Sequence, residues 1–349
     1  MPEQIKALKV RVESSTLVKP SYKGKPPCAD LCIPLSVFDK ISYDVHVAII
    51  YAFRPPTPSN SDIEKGLATA LSEYREWAGR LGEDSRGEPV ILLNDAGIRF
   101  IEASSDAVLD RAVPLEPNFL VAWGKATRGL PIDPRPLHAH GTFIPRSPPR
   151  VEFEHRGVEF KPKNAPDTEE DVPLTADIAR GLDERITCNV RISVDGRARL
   201  RPRVPDEYFG NLVLWAFPCA KVGELVNRPL QFTAALVHEG IARLDDGYFR
   251  SFIDFASSEK VKEEGLVATA EVNERVTSPN LEAHGWLRFP FRDVDFGGGN
   301  PFLFMPSYFP VEGMLFFLPS SIGDGSIDVY VTLLSHNMDS FRQLCHLLD

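Results

Sequence analysis

The hydrophobic positions in the first hundred residues fall into short runs typical of strands and one stretch with helical spacing. Apolar and β-branched residues over 9–17 and 45–53 predict two strands, and Arg-Pro-Pro-Thr-Pro ends the second. Residues 61–79 begin with Ser-Asp-Ile-Glu, a capping box, and continue with apolar residues at helical spacing, which predicts a helix. Residues 89–104 carry Asn-Asp-Ala-Gly between two apolar runs, which predicts a hairpin.

A similar alternation returns in the second half of the chain. Residues 186–200 alternate around an Asp-Gly turn, and residues 212–217 form an apolar run, so both predict strands. Residues 226–256 carry apolar side chains at helical spacing and predict one long helical stretch. The remaining predicted elements are strands at 286–291, 302–305, 313–318 and 326–334, the last two joined as a hairpin, and a terminal helix at 338–348.

Residues 111–173 interrupt this regular pattern. They contain one predicted helix, 118–129, and are otherwise rich in proline and charge. So long a stretch without periodicity is unusual inside a compact domain, so it is either a crossover between domains or a place where part of a fold is missing. We predict an N-terminal domain over 1–130, a crossover over 131–185 and a C-terminal domain over 186–349.

Composition and charge exclude several classes of protein. The chain has 349 residues, with 39 Lys and Arg against 49 Asp and Glu, and carries a formal charge of −10. An acidic chain without a basic stripe is not expected to bind nucleic acid. Its longest apolar run, 47–53, is far shorter than a membrane-spanning helix, and residues 1–16 lack the apolar core of a signal peptide. The five cysteines are scattered and odd in number, which predicts reduced thiols. We therefore expect a cytoplasmic protein without a membrane partner.

General catalytic signatures are missing from the sequence. It contains no G-x-S-x-G elbow, P-loop, H-E-x-x-H or dinucleotide-binding glycine pattern. His138 and His140 stand close together, but no carboxylate or cysteine accompanies them at a supporting spacing, so we predict no metal site. Five further histidines carry no sequence signal for catalysis, namely His46, His155, His238, His336 and His346.

A group of motifs in the second half is more specific. Residues 295–301 read Asp-Phe-Gly-Gly-Gly-Asn-Pro and are followed by Met-Pro-Ser-Tyr-Phe-Pro-Val-Glu-Gly-Met, while Tyr-Phe-Gly-Asn stands upstream at 208–211. In this order the motifs resemble those of the BAHD family, the plant acyl-CoA-dependent acyltransferases. The second motif is similar to that of grass enzymes that pass hydroxycinnamoyl or benzoyl groups to tryptamine or agmatine. The resemblance covers residues 1 to about 125 and about 186 to 349.

This resemblance implies an α/β fold with two domains, like that of chloramphenicol acetyltransferase. It also implies a monomer that binds no resident cofactor, with acyl-CoA as co-substrate and an amine as acceptor. In the family, the histidine of an H-x-x-x-D-G motif removes the proton of the acceptor. The D-F-G-W-G loop is structural, and its aspartate, here Asp295, is expected to pair with Arg197 or Arg199. The other residues of that structural motif here are Phe296, Gly297 and Gly299.

The chain departs from the family at the catalytic motif. None of its eight histidines is followed by aspartate at the fourth position. The helix at 119–129 matches the one that follows H-x-x-x-D-G in the family, yet Val113-Pro-Leu-Glu-Pro117 leads straight into it. We therefore expect missing segments before this helix and between 163 and 186, and an incomplete N-terminal domain. Two hypotheses stay open: an active acyltransferase, or an inactive truncated variant that is at most a ligand-binding relic.

Two residues remain as candidates for a transfer site. His284 matches a channel-lining position where the family usually has Ser or Thr, so it is the candidate substitute for the missing base. Imidazole can accept a proton near neutral pH, which is what an attacking amine requires. Trp286 matches a tryptophan of the acyl or acceptor pocket, with core packing as the alternative interpretation. Gly298 and Asn300 stand where the motif usually has Trp and Lys.

Overall fold

The chain is described here by a computed structural model that covers residues 10–28, 31–42, 47–106, 143–163, 184–205, 208, 210–269, 280–306, 312–320 and 324–345. The chain divides into two compact units. The first draws on residues 1–35, 45–140 and 290–308, and the second on 36–44, 141–289 and 309–349. The predicted domain limits at 130 and 186 stay a prediction, because most of the segment between them lies outside the described residues.

Strands and helices are interspersed along the described residues. The strands are β1 Val10–Val18, β2 Cys32–Pro34, β3 Ile49–Ala52, β4 Arg80–Glu83, β5 Pro89–Leu92, β6 Ile98–Ser105, β7 Phe160–Pro162, β8 Thr187–Asp195, β9 Val213–Ala216, β10 Cys219–Lys221, β11 Leu266–Ala268, β12 Leu281–Gly285, β13 Leu303–Pro306, β14 Met314–Pro319 and β15 Ile327–Val331. The α-helices are α1 Val37–Lys40, α2 Asn60–Glu73, α3 Val222–Asn227, α4 Leu230–Ala242, α5 Asp246–Ala256, α6 Glu259–Glu263 and α7 Ser335–Leu344, and short 3-10 helices occur at Arg75–Ala78, Gly196–Ala198 and Phe291–Asp293.

The second unit is built on a mixed sheet with the order β10-β8-β12-β14-β15, in which β9 also pairs with β8. The strand β12 lies between β8 and β14 and is parallel to both. Alternate side chains of a strand point to opposite faces, so Glu282 and His284 share one face of β12. His284 lies opposite Phe316 of β14, and Glu282 lies opposite Arg191 of β8.

The core of the second unit is dominated by aromatic side chains of α5. Asp245 caps this helix by accepting a hydrogen bond from the backbone N–H of Tyr248 at 3.0 Å. The rings of Phe249 and Phe252 are fully buried and pack against Phe38. This apolar contact fixes α5, whose polar residues take part in a network described below.

The first unit contains smaller sheets within the described residues. Their strand orders are β1-β6, β2-β5-β4 and β13-β3. The helix α2 begins after Ser59, whose hydroxyl accepts a hydrogen bond from the backbone N–H of Asp62. Its buried Leu71 packs with Val18 and Ala78 in a small apolar cluster. The predicted strands at 9–17 and 45–53 are confirmed, the second in shortened form as β3.

The predicted hairpin at 89–104 is wrong. The strand β5 pairs with β2 and β4, whereas β6 pairs with β1. The intervening Asp95, with φ of +49°, binds Arg75 at 3.1 Å and accepts a hydrogen bond from the hydroxyl of Tyr22 at 3.0 Å. These contacts direct the two strands into different sheets, although the residues between them are typical of a tight turn.

Three further predictions in the second half need correction. The long helix over 226–256 is instead α3, α4 and α5, because Pro229 lacks a backbone N–H and Asp245 caps a new helix. The predicted strand at 286–291 is a turn and a 3-10 helix, since β12 ends at Gly285. The strand pattern predicted over 186–200 ends early: β8 stops at Asp195, and Gly196 begins a 3-10 helix where the ring of Phe249 approaches the backbone so closely that a Cβ would not fit. The hairpin β14-β15 is confirmed.

Candidate functional site

His284 lies on β12 with its imidazole enclosed by aromatic rings. The ring stacks on Phe316 at a centroid distance of 4.9 Å and an angle of 12°. The indole of Trp215 meets it edge to face at 5.5 Å and 85°. These two rings limit rotation of the imidazole, yet 19% of the side chain stays exposed. His284 is therefore both held in place and open to a small molecule.

A buried carboxylate completes this arrangement. Nε2 of His284 lies 2.8 Å from Oε1 of Glu282, whose side chain is only 7% exposed. Oε2 of the same carboxylate lies 3.9 Å from the guanidinium of Arg191. That guanidinium stacks over the indole of Trp215 at 4.1 Å. The charge of Glu282 is thus shared between a cation and an imidazole, as buried carboxylates require.

Trp286, the other predicted pocket residue, belongs to the same aromatic group. Its indole meets Phe316 at 4.9 Å, and its backbone N–H donates to the carbonyl oxygen of Phe317 at 2.9 Å. The structure therefore brings His284 and Trp286 into contact with the same ring, that of Phe316. We call Arg191, Trp215, Glu282, His284, Trp286 and Phe316 the His284 cluster.

Sequence reasoning missed four members of the His284 cluster, namely Arg191, Trp215, Glu282 and Phe316. Glu282 stands two residues before His284, and this spacing places two side chains on one face of a strand. That signal was present in the sequence. Arg191 and Trp215 come from β8 and β9, and their approach depends on the pairing order of the sheet. No local pattern marks them.

The glycine-rich loop of the first unit is held by its own aspartate. Oδ1 of Asp295 accepts hydrogen bonds from the backbone N–H groups of Gly297 at 2.7 Å and Gly299 at 2.9 Å. These bonds lower the pKa of Asp295 because they stabilise its ionised form. Gly297 and Gly299 have φ values of +96° and +102°, which side chains other than glycine rarely adopt. The backbone oxygen of Pro56 leaves no room for a side chain at Gly298.

Phe296 of this loop extends toward aromatic residues of β3 and the segment that follows it. Its ring meets Phe53 edge to face at 5.4 Å. Together with Tyr51, the two rings line an apolar cleft of about 310 Å³. Burial raises the pKa of the Tyr51 hydroxyl.

The two candidate arginines lie in the second unit. Arg197 donates to the carbonyl oxygen of Gly210 at 2.7 Å and to Asp195 at 3.2 Å. Arg199 is half-buried and follows the 3-10 helix at Gly196–Ala198. The expected pairing of either arginine with Asp295 stays a prediction, because Asp295 belongs to the other unit.

A second histidine forms a carboxylate pair in the interior of the second unit, which corrects the expectation that His155 has no acid or nucleophile nearby. Its Nδ1 lies 3.0 Å from Oε2 of Glu159, and its Nε2 lies 3.0 Å from Oγ of Ser251. The hydroxyl of Tyr248 donates to Glu159 at 2.8 Å, and burial raises the pKa of that hydroxyl. His155 and Ser251 are fully buried. We call these four residues the His155 cluster.

Other histidines offer no comparable arrangement within the described structure. His238 is exposed on α4, and His336 lies on α7. The remaining ones, His46, His138, His140 and His346, lie outside the described residues, as does the predicted helix at 118–129. Among the described residues, no group of three His, Cys, Asp or Glu side chains is arranged to hold a metal ion. No helix in the same residues has the length and apolar character to cross a membrane.

The fold is similar to that of a solved structure. Vinorine synthase matches 95% of this chain over 96% of its own length, with a TM-score of 0.62 at 15% identity. This likeness confirms the predicted two-domain α/β fold. The profile of the Transferase family matches residues 8–118 and 175–348. The chain therefore belongs to this family, that of the BAHD acyltransferases.

Three curated relatives from rice, Oryza sativa subsp. japonica, are similar over nearly the whole chain. Agmatine hydroxycinnamoyltransferase 1 is 43% identical over 446 positions, covering 98% of this chain and 99% of the relative. Putrescine hydroxycinnamoyltransferase 3 is 39% identical, covering 98% of this chain and 100% of the relative. Tryptamine hydroxycinnamoyltransferase 2 is 29% identical with the same coverage.

These alignments also confirm that the chain is short for its family. The agmatine relative aligns over 446 positions, whereas this chain has 349 residues. Gaps must therefore fall inside the aligned region. The family profile leaves residues 119–174 unmatched, between its two matching segments. This interruption overlaps the region where the sequence predicts missing segments.

Proposed function

We propose that this chain transfers a hydroxycinnamoyl group from its coenzyme A thioester to the primary amine of an aliphatic amine, with agmatine as the first candidate. The observation that carries the proposal is the 43% identity to a relative named for agmatine, over 98% of this chain. A relative named for tryptamine is only 29% identical. Of the two acceptors that the motifs left open, agmatine is therefore favoured.

The chemistry requires a proton acceptor near the attacking nitrogen. A neutral amine attacks the thioester carbonyl carbon and forms a C–N bond, and the nitrogen must then lose a proton. When the C–S bond breaks, coenzyme A leaves as a thiolate that takes up a proton. We assign both transfers to His284, whose imidazole accepts the first proton and returns it to the sulfur.

Two features of the His284 cluster support this role. The imidazole is restrained by Phe316 and Trp215 but remains 19% exposed. The rings of Trp286 and Phe316 add flat apolar surface beside it, which suits the planar ring of a hydroxycinnamoyl group. In this proposal Trp286 contacts the acyl group, while Asp295 and its glycines keep the shape of their own loop.

The proposal extends to the setting in which the protein works. We infer a monomer in the cytoplasm, with acyl-CoA as co-substrate and without a bound cofactor. The acidic charge of −10 and the motifs of an acyl-CoA-dependent family support these assignments. Gel filtration coupled to light scattering tests the monomer: a mass near 38.9 kDa supports it, and twice that value contradicts it.

The direct test follows thiol release from coumaroyl-CoA in the presence of agmatine, putrescine or tryptamine. We expect turnover with agmatine, and a specificity constant kcat/KM for tryptamine lower by on the order of tenfold or more. Circular dichroism of the same sample shows whether the protein is folded. A folded protein without turnover on any amine would support the inactive variant instead, in keeping with the missing H-x-x-x-D-G motif.

A further inference from the structure

We propose that Glu282 is a positioning residue that fixes the tautomer of His284 and leaves Nδ1 as the nitrogen that accepts the proton. This inference rests on the proposed function, since it specifies which atom of His284 acts. It goes further by assigning a role to a carboxylate that the family motifs do not contain.

The hydrogen bond determines where the proton of the imidazole lies. Nε2 of His284 is 2.8 Å from Oε1 of Glu282. An ionised carboxylate can only accept hydrogen bonds, so Nε2 must carry the hydrogen. In a neutral imidazole the other nitrogen then has the free lone pair. Nδ1 is therefore the basic atom of His284.

The carboxylate is itself held in a fixed position. Glu282 is 5% exposed and lies opposite Arg191 in the pairing of β12 with β8. The guanidinium of Arg191 lies 3.9 Å from Oε2 and rests on the indole of Trp215 at 4.1 Å. This cation gives the buried carboxylate a charged partner in addition to the imidazole.

The same neighbours set the plane of the imidazole ring. Phe316 of β14 stacks on one side at 4.9 Å, and Trp215 of β9 meets the ring at 85°. The titratable or charged groups that face His284 from the strands packed around it are Glu282 and Arg191. A ring fixed in this way needs little reorganisation before it accepts a proton.

The proton transfer then follows from this geometry. As the amine nitrogen bonds to the carbonyl carbon, one of its protons moves to Nδ1 and forms an imidazolium. Glu282 stabilises this cation through the existing bond to Nε2, as the buried aspartate does in a serine protease triad. When the C–S bond breaks, Nδ1 gives the proton to the departing sulfur. Glu282 keeps its charge throughout and does not contact the substrate.

The first experiment reads the tautomer directly and needs no turnover. The ¹⁵N chemical shifts of selectively labelled histidine distinguish Nε2–H from Nδ1–H imidazole. We expect Nε2–H for His284 in the wild-type protein and a loss of that preference in Glu282→Leu. The His284 signal is assigned from its disappearance in His284→Asn. An Nδ1–H tautomer in the wild type overturns the proposal, whether or not the protein is an acyltransferase.

The second experiment measures kinetics with coumaroyl-CoA and agmatine. We expect Glu282→Gln to lower kcat by about 10-fold or more, because a serine protease loses about 10⁴-fold when its orienting aspartate becomes asparagine, with KM changed by less than about twofold. Glu239→Gln on the exposed side of α4 is the matched control and should leave kcat unchanged.

A double variant separates positioning from a structural role. If Glu282 acts only through His284, Glu282→Gln should cost nothing further when it is added to His284→Ala. A merely structural role predicts either an unchanged kcat per folded molecule in Glu282→Gln or a loss of kcat that adds to that of His284→Ala, and each of these results overturns the proposal. An inactive wild type would refute the proposed function, while the tautomer measurement still decides the role of Glu282.

Discussion

Among the residues that the structure describes, two histidines are each hydrogen-bonded to a glutamate, and their surroundings differ in one respect that decides their chemistry. His284 lies 2.8 Å from Glu282 and is 19% exposed, whereas His155 lies 3.0 Å from Glu159 and is fully buried. Their similar pairing shows that a histidine–carboxylate contact by itself does not define an active site. Access for a substrate is what separates the two.

The hydrogen-bond partners also assign opposite tautomers to the two histidines. Oγ of Ser251 accepts hydrogen bonds from the backbone N–H groups of Glu152 and Phe153, at 2.9 and 3.1 Å. With both lone pairs occupied, the hydroxyl must donate its hydrogen to Nε2 of His155. His155 then carries its proton on Nδ1, facing Glu159, whereas His284 carries it on Nε2. The lone pair on Nε2 of His155 therefore already accepts a hydrogen bond within the protein, from Ser251.

The largest expected effect is the loss of turnover in His284→Ala. Removal of the proton acceptor should lower kcat by about 10²–10⁴-fold, the range for general bases. The free energy of unfolding should change far less than in the corresponding variant of His155, because the histidine is partly exposed. Thiol release from coumaroyl-CoA with agmatine measures the first quantity, and urea unfolding measures the second.

His238→Ala is the control for this comparison, because His238 is an exposed histidine on α4. Its turnover should equal that of the wild type. Turnover that persists in His284→Ala would mean that another group accepts the proton, and the contrast between the two histidines would lose its functional meaning.

The next largest effect is the loss of stability in His155→Ala. The substitution leaves a cavity and removes one partner of the buried Glu159 carboxylate. Breaking such a buried pair costs about 3–5 kcal/mol of unfolding free energy. Equilibrium urea unfolding, with His238→Ala beside it, measures this value. A loss below about 1 kcal/mol would show that the His155 cluster is not tightly packed.

The sequence contains more information about the His284 cluster than about the His155 cluster. His284 and Trp286 stand at positions that resemble the family's, and β12, which ends at Gly285, carries His284 between two parallel neighbours. The His155 cluster joins residues 96 positions apart in sequence. Its assembly depends on the docking of residues 143–163 onto α5, which local propensity does not encode. No local sequence pattern therefore marks His155 as a member of a buried cluster.

The fold shows the same division between local and distant information. The hairpin β14-β15 was predictable because its turn and both strands are adjacent in sequence. The supposed hairpin at 89–104 failed because Asp95 binds Arg75 and Tyr22, which lie outside the local window. Residue spacing alone would have found Glu282. It would not have found Arg191, which reaches the site across the sheet.

A smaller loss of stability is expected from a variant of Asp254, a second residue of α5 that anchors residues 143–163. The carboxylate of Asp254 is 1% exposed; it accepts hydrogen bonds from the backbone N–H groups of Arg150 and Arg146 and from the Arg146 guanidinium, at 2.7–2.8 Å. Burial opposes ionisation, but these donors outweigh it and lower the pKa of Asp254. Asp254→Asn should cost about 1.5–3 kcal/mol of unfolding free energy at neutral pH.

The pH dependence of this cost follows from the lowered pKa. A carboxyl group with a lower pKa in the folded state contributes stability above its unfolded pKa of about 3.9 and loses it as pH falls further. The wild-type protein should therefore lose stability below about pH 4, and Asp254→Asn should flatten that part of the profile. Urea unfolding from pH 7 to 3 measures both curves. Parallel curves would contradict the assigned role of Asp254.

The smallest effect on a reaction rate is expected for Ser251→Ala. This variant tests whether the buried His155 cluster takes any part in catalysis. Ser251, His155 and Glu159 have the connectivity of a serine hydrolase triad, so a competing hypothesis is that they hydrolyse the thioester. Because Ser251 is fully buried and its oxygen already accepts two backbone hydrogen bonds, we expect hydrolysis of coumaroyl-CoA without amine to change by less than about twofold. The unfolding free energy should fall by about 1–2 kcal/mol, because two N–H groups lose their acceptor. If hydrolysis disappeared while the protein stayed folded, burial would not be the barrier that distinguishes the two histidines.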